Sequence, residues 1–153
     1  MHPMLRRLVT RSAVTAVVML AAVALTPSSA QASHDGYRCV DPSGPESLCV
    51  MVQRQFDPYS EKRGYATAVG LDGNKQYILR VSLWYCATAT SSCDRVALSD
   101  FKYASYTDTM YHSTVWKRRV SGCYRAGADL RRRPNSAHPY QRIAYVNSYR
   151  VCQ

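Results

Sequence analysis

Residues 65–86 read YATAVGLDGNKQYILRVSLWYC, and the fold class follows from this stretch. Tyr65, Thr67, Val69 and Leu71 form one alternating run. Asp72-Gly73-Asn74 is a turn signal, because Asp, Gly and Asn tolerate the backbone angles that a reversal needs. Beyond it, Tyr77, Leu79, Val81, Leu83 and Tyr85 line one face of a long strand, and Ile78, Arg80, Ser82, Trp84 and Cys86 line the other. A period of two is the mark of a strand, whose successive side chains point to opposite faces. The two runs and their turn predict a β-hairpin.

The same period recurs on both sides. Upstream, Leu48, Val50, Val52 and Phe56 alternate with Cys49, Met51, Gln53 and Gln55 until Asp57-Pro58 stops the run, whereas 33–47 reads as irregular. Downstream, Val96 and Leu98 suggest a short strand, and Phe101, Tyr103 and Ser105 continue an extended reading. Met110, His112, Thr114, Trp116 and Arg118 alternate with Tyr111, Ser113, Val115, Lys117 and Arg119. Residues 125–139 hold Gly127, arginines and two prolines and read as a basic loop. A last strand is expected over Tyr140 to Cys152, with Ile143, Tyr145, Tyr149 and Val151 on one face. No stretch after the N-terminal segment has a helical period. Roughly six to eight short strands at this spacing predict an all-β fold, a small antiparallel β-sandwich, immunoglobulin-like or barrel-like.

The N-terminal segment has the three-part layout of an export signal. Arg6, Arg7 and Arg11 precede the uncharged run from Ser12 to Leu25, and Pro27 leads to Ala30-Gln31-Ala32, which has the form that signal peptidase reads. The apolar run is shorter than the roughly 20 residues a membrane span needs. The expectation is a signal peptide over 1–32, an N-terminal extension over 33–47 and a β-sandwich domain over 48–153, secreted and without a transmembrane segment. All six cysteines, Cys39, Cys49, Cys86, Cys93, Cys123 and Cys152, lie after the signal. An even count in an exported chain reads as about three disulfides, and many connectivities remain open. Loop-closure economy favours Cys39–Cys49, Cys86–Cys93 and Cys123–Cys152.

Charge is uneven. Residues 117–153 hold nine basic residues and one acid, Asp129, a net of +8, while 33–116 hold eight basic and nine acidic residues. Such a field attracts acidic partners: an acidic protein face, an envelope polyanion or nucleic acid. The chemistry of catalysis is sparse. No G-x-S-x-G, H-E-x-x-H or C-x-x-C occurs, so no nucleophile elbow, zinc protease helix or thiol redox pair is written in the chain. No metal or cofactor is expected. His112, with Asp108 or Asp100 as carboxylate partner, is the residue a small hydrolase or nuclease would use, and Glu46 and Glu61 lie in loop-like stretches.

Two features point to binding. If Cys39 and Cys49 are bridged, they enclose a loop stiffened by two prolines. Val40, Asp41, Pro42, Ser43, Gly44, Pro45, Glu46 and Leu48 are its candidate contact residues. A preorganised loop lowers the entropic cost of binding. Lys117, Arg118 and Arg119 with Arg131, Arg132 and Arg133 are the second candidate contact, two triplets expected to form one basic face suited to carboxylate or phosphate.

This plan of signal, cysteine-bearing segment His34 to Leu48 and β body resembles the small disulfide-bridged β-sandwich proteins secreted by filamentous soil bacteria. Among these, it is similar in plan to the adaptor subunits of umbrella toxin particles. That resemblance implies a non-enzymatic adaptor in an extracellular, antibacterial assembly, with an N-terminal extension that docks in a lectin-like partner and a β domain that meets a larger stalked toxin. The plan also resembles small secreted amylase and protease inhibitors, which implies an extracellular hydrolase as the alternative partner.

Overall fold

A computed structural model describes residues 35–42, 44–55, 61–118 and 120–152. The segment read as the export signal, together with Phe56, lies outside the described residues. The described chain is all β, with eleven strands: β1 (Asp35–Val40), β2 (Ser47–Arg54), β3 (Glu61–Val69), β4 (Gln76–Cys86), β5 (Cys93–Leu98), β6 (Lys102–Ser105), β7 (Thr109–Ser113), β8 (Lys117–Arg118), β9 (Cys123–Arg133), β10 (Gln141–Asn147) and β11 (Val151–Cys152). They form two antiparallel sheets. Sheet A runs β1-β2-β3-β7 with β8 also on β3, and sheet B runs β10-β9-β4-β5 with β6 also on β4 and β11 also on β9.

The sandwich forms because each sheet has one apolar face to bury. In sheet A, β2 turns Leu48, Val50 and Val52 inward and β3 turns Ala66 and Ala68 inward. In sheet B, β4 contributes Tyr77, Leu79, Val81 and Leu83, and β9 contributes Tyr124, Ala126, Ala128 and Leu130. β2 packs mainly over β9, where Ala126 and Ala128 leave room for its large side chains, and β3 packs over both β9 and β4. Each fully buried Leu or Val contributes about 1.5–3 kcal/mol relative to an exposed one.

Four sequence expectations are corrected here. The runs at 65–71 and 77–85 do not pair as a hairpin: β3 lies in sheet A and β4 in sheet B. Leu71 is buried in the core and its N–H donates to the Asp108 carbonyl at 3.0 Å, so the chain after β3 crosses between sheets before turning. Second, 125–133 is no loop. It belongs to β9, a central strand of eleven residues whose inward face has Ala126 and Ala128 between Tyr124 and Leu130. Third, 33–47 is not wholly irregular, since Asp35–Val40 is a strand of sheet A. The last strand also has the opposite phase: Ala144 and Val146 are buried and Tyr145 faces outward, after a register shift between Arg142 and Ala144.

The three disulfides are Cys39–Cys49, Cys86–Cys93 and Cys123–Cys152, as loop closure favours. Each joins residues directly opposite on neighbouring strands. Cys93, Cys86, Cys123 and Cys152 occupy one row across β5, β4, β9 and β11, so two bridges clamp one end of sheet B. Disulfides are consistent with an oxidising compartment. No helix of the described residues is long and apolar enough to cross a membrane.

Candidate functional site

The loop between β1 and β2 is held at its base from three directions. The Cys39–Cys49 bridge ties the two strands together. Glu46 is only 2% exposed, and Arg132 on β9 forms an ion pair with its carboxylate. The Tyr77 hydroxyl on β4 donates to Glu46 Oε1 at 3.1 Å and accepts the Asp72 N–H at 3.0 Å. Burial pushes the Glu46 carboxyl up, but hydrogen bonds from its own backbone, Arg132 and Tyr77 outweigh burial and hold it below the usual carboxylate range. Burial also pushes Tyr77 up. This network ties sheet A to sheet B under the loop. Asp41, Gly44 and Pro45 are exposed above it, and Val40 and Pro42 are half-buried. Ser43 lies outside the described residues. Glu46 and Leu48 are corrected as contact residues: Leu48 is 0% exposed within the core, and Glu46 is consumed by its internal partners.

The two basic triplets do not form one face. Lys117 and Arg118 are exposed on β8, which pairs with Glu61 and Lys62 in sheet A, and Arg119 lies outside the described residues. Arg131–Arg133 sit in β9 at the centre of sheet B, where strand alternation splits them. Arg132 turns inward to Glu46. Arg131 pairs with Asp129 at 2.9 Å, and Arg133 Nε donates to Gln76 Oε1 at 2.7 Å and stacks on Tyr140 at 4.3 Å. His112 Nε2 lies 2.9 Å from the backbone carbonyl of Asp100, so its partner there is a carbonyl and not a carboxylate. Among the described residues no group of three or more His, Cys, Asp or Glu side chains gathers to hold a metal ion.

What the outer face of sheet B does assemble is a belt of arginine and aromatic side chains drawn from β4, β5, β9, β10 and the β5–β6 connection. Arg95 and Arg125 lie 5.8 and 5.9 Å from the Trp84 ring, on the register row that crosses β5, β4 and β9. Arg80 and Arg131 lie 4.6 and 5.8 Å from Phe101. Arg142 lies 5.5 Å from Tyr145. Between the Trp84 row and the Arg80–Asp129 row opens a cleft of about 210 Å³. Its floor is Ser82 and Gly127, which face each other in register. A Cβ at Gly127 would lie 2.7 Å from Ser82 Oγ and 2.9 Å from Asn147 Oδ1, so a glycine is needed for this depth. Ser82 Oγ accepts the Trp84 indole N–H at 2.9 Å, which fixes the ring plane. The Tyr145 hydroxyl donates to Asn147 Oδ1 at 3.0 Å.

Asp129 organises the wall. Arg142 reaches it at 2.8 Å through Nη2 and 3.0 Å through Nε, and Arg131 Nη2 reaches it at 2.9 Å. Burial alone would raise the Asp129 carboxyl, but these arginines hold it below the usual range, and Asp129 in turn raises Arg142. One carboxylate thus orients two guanidinium groups, while Arg80 and Arg95 complete the wall. Four cations against one anion leave a net positive cleft whose planar donors match an oxyanion. Arg80 and Trp84 stand out only as alternate members of β4, and Arg142 only as one more basic residue, so the sequence pattern holds no signal that they meet. No protein-family model matches the chain, and no characterised protein matches it significantly. The fold itself defines the class: a two-sheet antiparallel β-sandwich stapled by three disulfides.

Proposed function

We propose that this chain is a secreted, non-enzymatic protein-binding module, an adaptor subunit of an extracellular assembly, and that it docks through the Cys39–Cys49 loop. The observation that carries the reading is the support beneath Asp41, Gly44 and Pro45. The bridge anchors them on one side and the Glu46–Tyr77–Arg132 network on the other. A loop fixed before binding gives up little conformational freedom on docking. A disulfide-stapled sandwich is also a rigid platform on which to present it.

The test compares the wild-type chain with a variant in which Asp41 and Pro45 are replaced by Ala, both isolated at native level from the producing culture. Intact assemblies are sized by native mass spectrometry. The reading expects the wild type in a complex of fixed stoichiometry with larger secreted proteins, and the variant released as a folded monomer. A wild-type monomer in that medium overturns it. One hydrolase bound and blocked at equal stoichiometry supports the inhibitor reading instead, because the same loop then serves as bait.

A further inference from the structure

We propose that the cleft over Ser82 and Gly127 binds a carboxylate-bearing sugar unit of an acidic glycan, a second ligand site independent of the docking loop. Three properties of the cleft carry this. The face of a sheet offers side chains only, since its backbone N–H and C=O groups are spent on neighbouring strands. A peptide therefore finds no strand edge to extend here, and recognition must rest on what the side chains present. Those side chains are of three kinds together: an indole wall at Trp84, held in plane by Ser82, whose hydroxyl also donates to the Gly127 carbonyl; a phenol at Tyr145; and guanidinium groups on the rim. An acidic sugar has the complementary set, an apolar C–H face, hydroxyls and a planar carboxylate. Arg95, exposed on β5 and lining the cleft, has no carboxylate partner among the described residues and is placed to take that carboxylate.

The arrangement argues against a single-stranded nucleic acid. Such ligands stack successive bases on bare aromatic rings along a basic track. Here one indole, Trp84, lines the cleft, and among the described residues no second aromatic ring stacks in line with it to form a track. The cleft is also limited in size, about 210 Å³, which suits one ring-sized unit and not a run of bases.

The test is calorimetric titration of the folded protein with four probes: a uronic-acid tetrasaccharide, the same tetrasaccharide with its carboxyls reduced to alcohols, a tetraglutamate peptide and an oligothymidylate. The expected result is binding of the uronic tetrasaccharide, with the reduced form and the peptide each at least about tenfold weaker, the fold-change of one lost charge-assisted contact. Arg95→Gln and Trp84→Ala should each weaken the tetrasaccharide by about tenfold or more. Arg95 is exposed on an edge strand and its side chain meets only the outward ring of Trp84, so Arg95→Gln leaves the core intact and remains informative if Trp84→Ala does not fold. The Asp41, Pro45 double variant should bind the sugar as the wild type does, so failure of the docking reading and of this one are separable. Equal or tighter binding of tetraglutamate or oligothymidylate, no tetrasaccharide binding, or indifference to Arg95→Gln each overturns the proposal.

Discussion

Val81 on β4 donates its backbone N–H to the side-chain oxygen of Ser99 at 2.9 Å, and Ser99 returns its own N–H to the Val81 carbonyl at 2.8 Å. Ser99 sits where β5 gives way to β6, so a hydroxyl fills a gap in the ladder that would strand a buried N–H. The same arrangement occurs twice more. Thr114, between β7 and β8, accepts from the Gly64 N–H at 3.0 Å, and Ser148, between β10 and β11, accepts from the Ala126 N–H at 3.0 Å. Each of the three hydroxyls then donates to the carbonyl of the residue after it, at 2.8, 3.0 and 2.9 Å. Edge strands thus break, and the inner strands keep their hydrogen bonds. Ser99→Ala, Ser148→Ala and Thr114→Val should each lower stability by about 1–3 kcal/mol, because each leaves a buried donor unmet. Urea unfolding at neutral pH measures this, and losses below about 0.5 kcal/mol at all three sites would refute the role.

Acid should weaken the sandwich through Glu46. Its carboxyl is held below the usual range in the folded state, so its charged form favours folding. That contribution is present above the ordinary carboxylate pKa and fades as pH falls through the folded value. Asp129 acts in the same direction. The thermal midpoint of the wild type should therefore fall between about pH 6 and pH 3. Glu46→Gln should start lower, by roughly 1–3 kcal/mol, less than a fully buried pair would lose because Arg132 reaches solvent. It should also show a shallower acid limb. Parallel limbs for the two proteins would exclude Glu46 as a source of acid sensitivity.

Much of the fold was legible because period-two alternation marks strands directly: β2 and β4 appear with the inward faces that their Leu, Val and Tyr residues suggest. Partnership was not legible. Alternation says that 65–71 and 77–85 are strands, but not that Leu71 enters the core and sends them to different sheets. β9 was hidden for a different reason. The middle of its inward face is Ala126 and Ala128, which carry little hydrophobic signal, and Arg125, Arg131 and Arg133 on its outward face made it look like a loop. The cleft was illegible for the same reason twice over. Arg80, Arg131 and Arg142 are far apart in the chain and meet only once β4, β9 and β10 lie side by side.

The bridges should differ in worth. Cys123–Cys152 closes a sequence separation of 29, against 10 for Cys39–Cys49 and 7 for Cys86–Cys93. Loop-closure entropy gives roughly 3.6, 2.7 and 2.4 kcal/mol in that order. Paired Cys→Ala variants, compared by denaturant midpoint, should follow this ranking. A larger loss at Cys86–Cys93 than at Cys123–Cys152 would mean that native packing of the cysteine row outweighs constraint of the unfolded chain.

Gly70, at the end of β3, lies close against the backbone of the β1–β2 loop at Pro45. Its φ is +69°, a left-handed conformation that L side chains rarely adopt, and an added Cβ would lie 2.1 Å from the Pro45 carbonyl oxygen. That oxygen is backbone, so relief requires the loop itself to move. Gly73, two residues past the buried Leu71, has open space where a Cβ would go. Gly70→Ala should therefore cost at least about 2 kcal/mol, whereas Gly73→Ala should stay within about 0.5 kcal/mol. Because the strain is released through Pro45, Gly70→Ala should also raise amide exchange at Gly44 and Glu46 above that in β4. If exchange rises evenly across both sheets instead, the glycine supports the sandwich as a whole and not the pose of the loop.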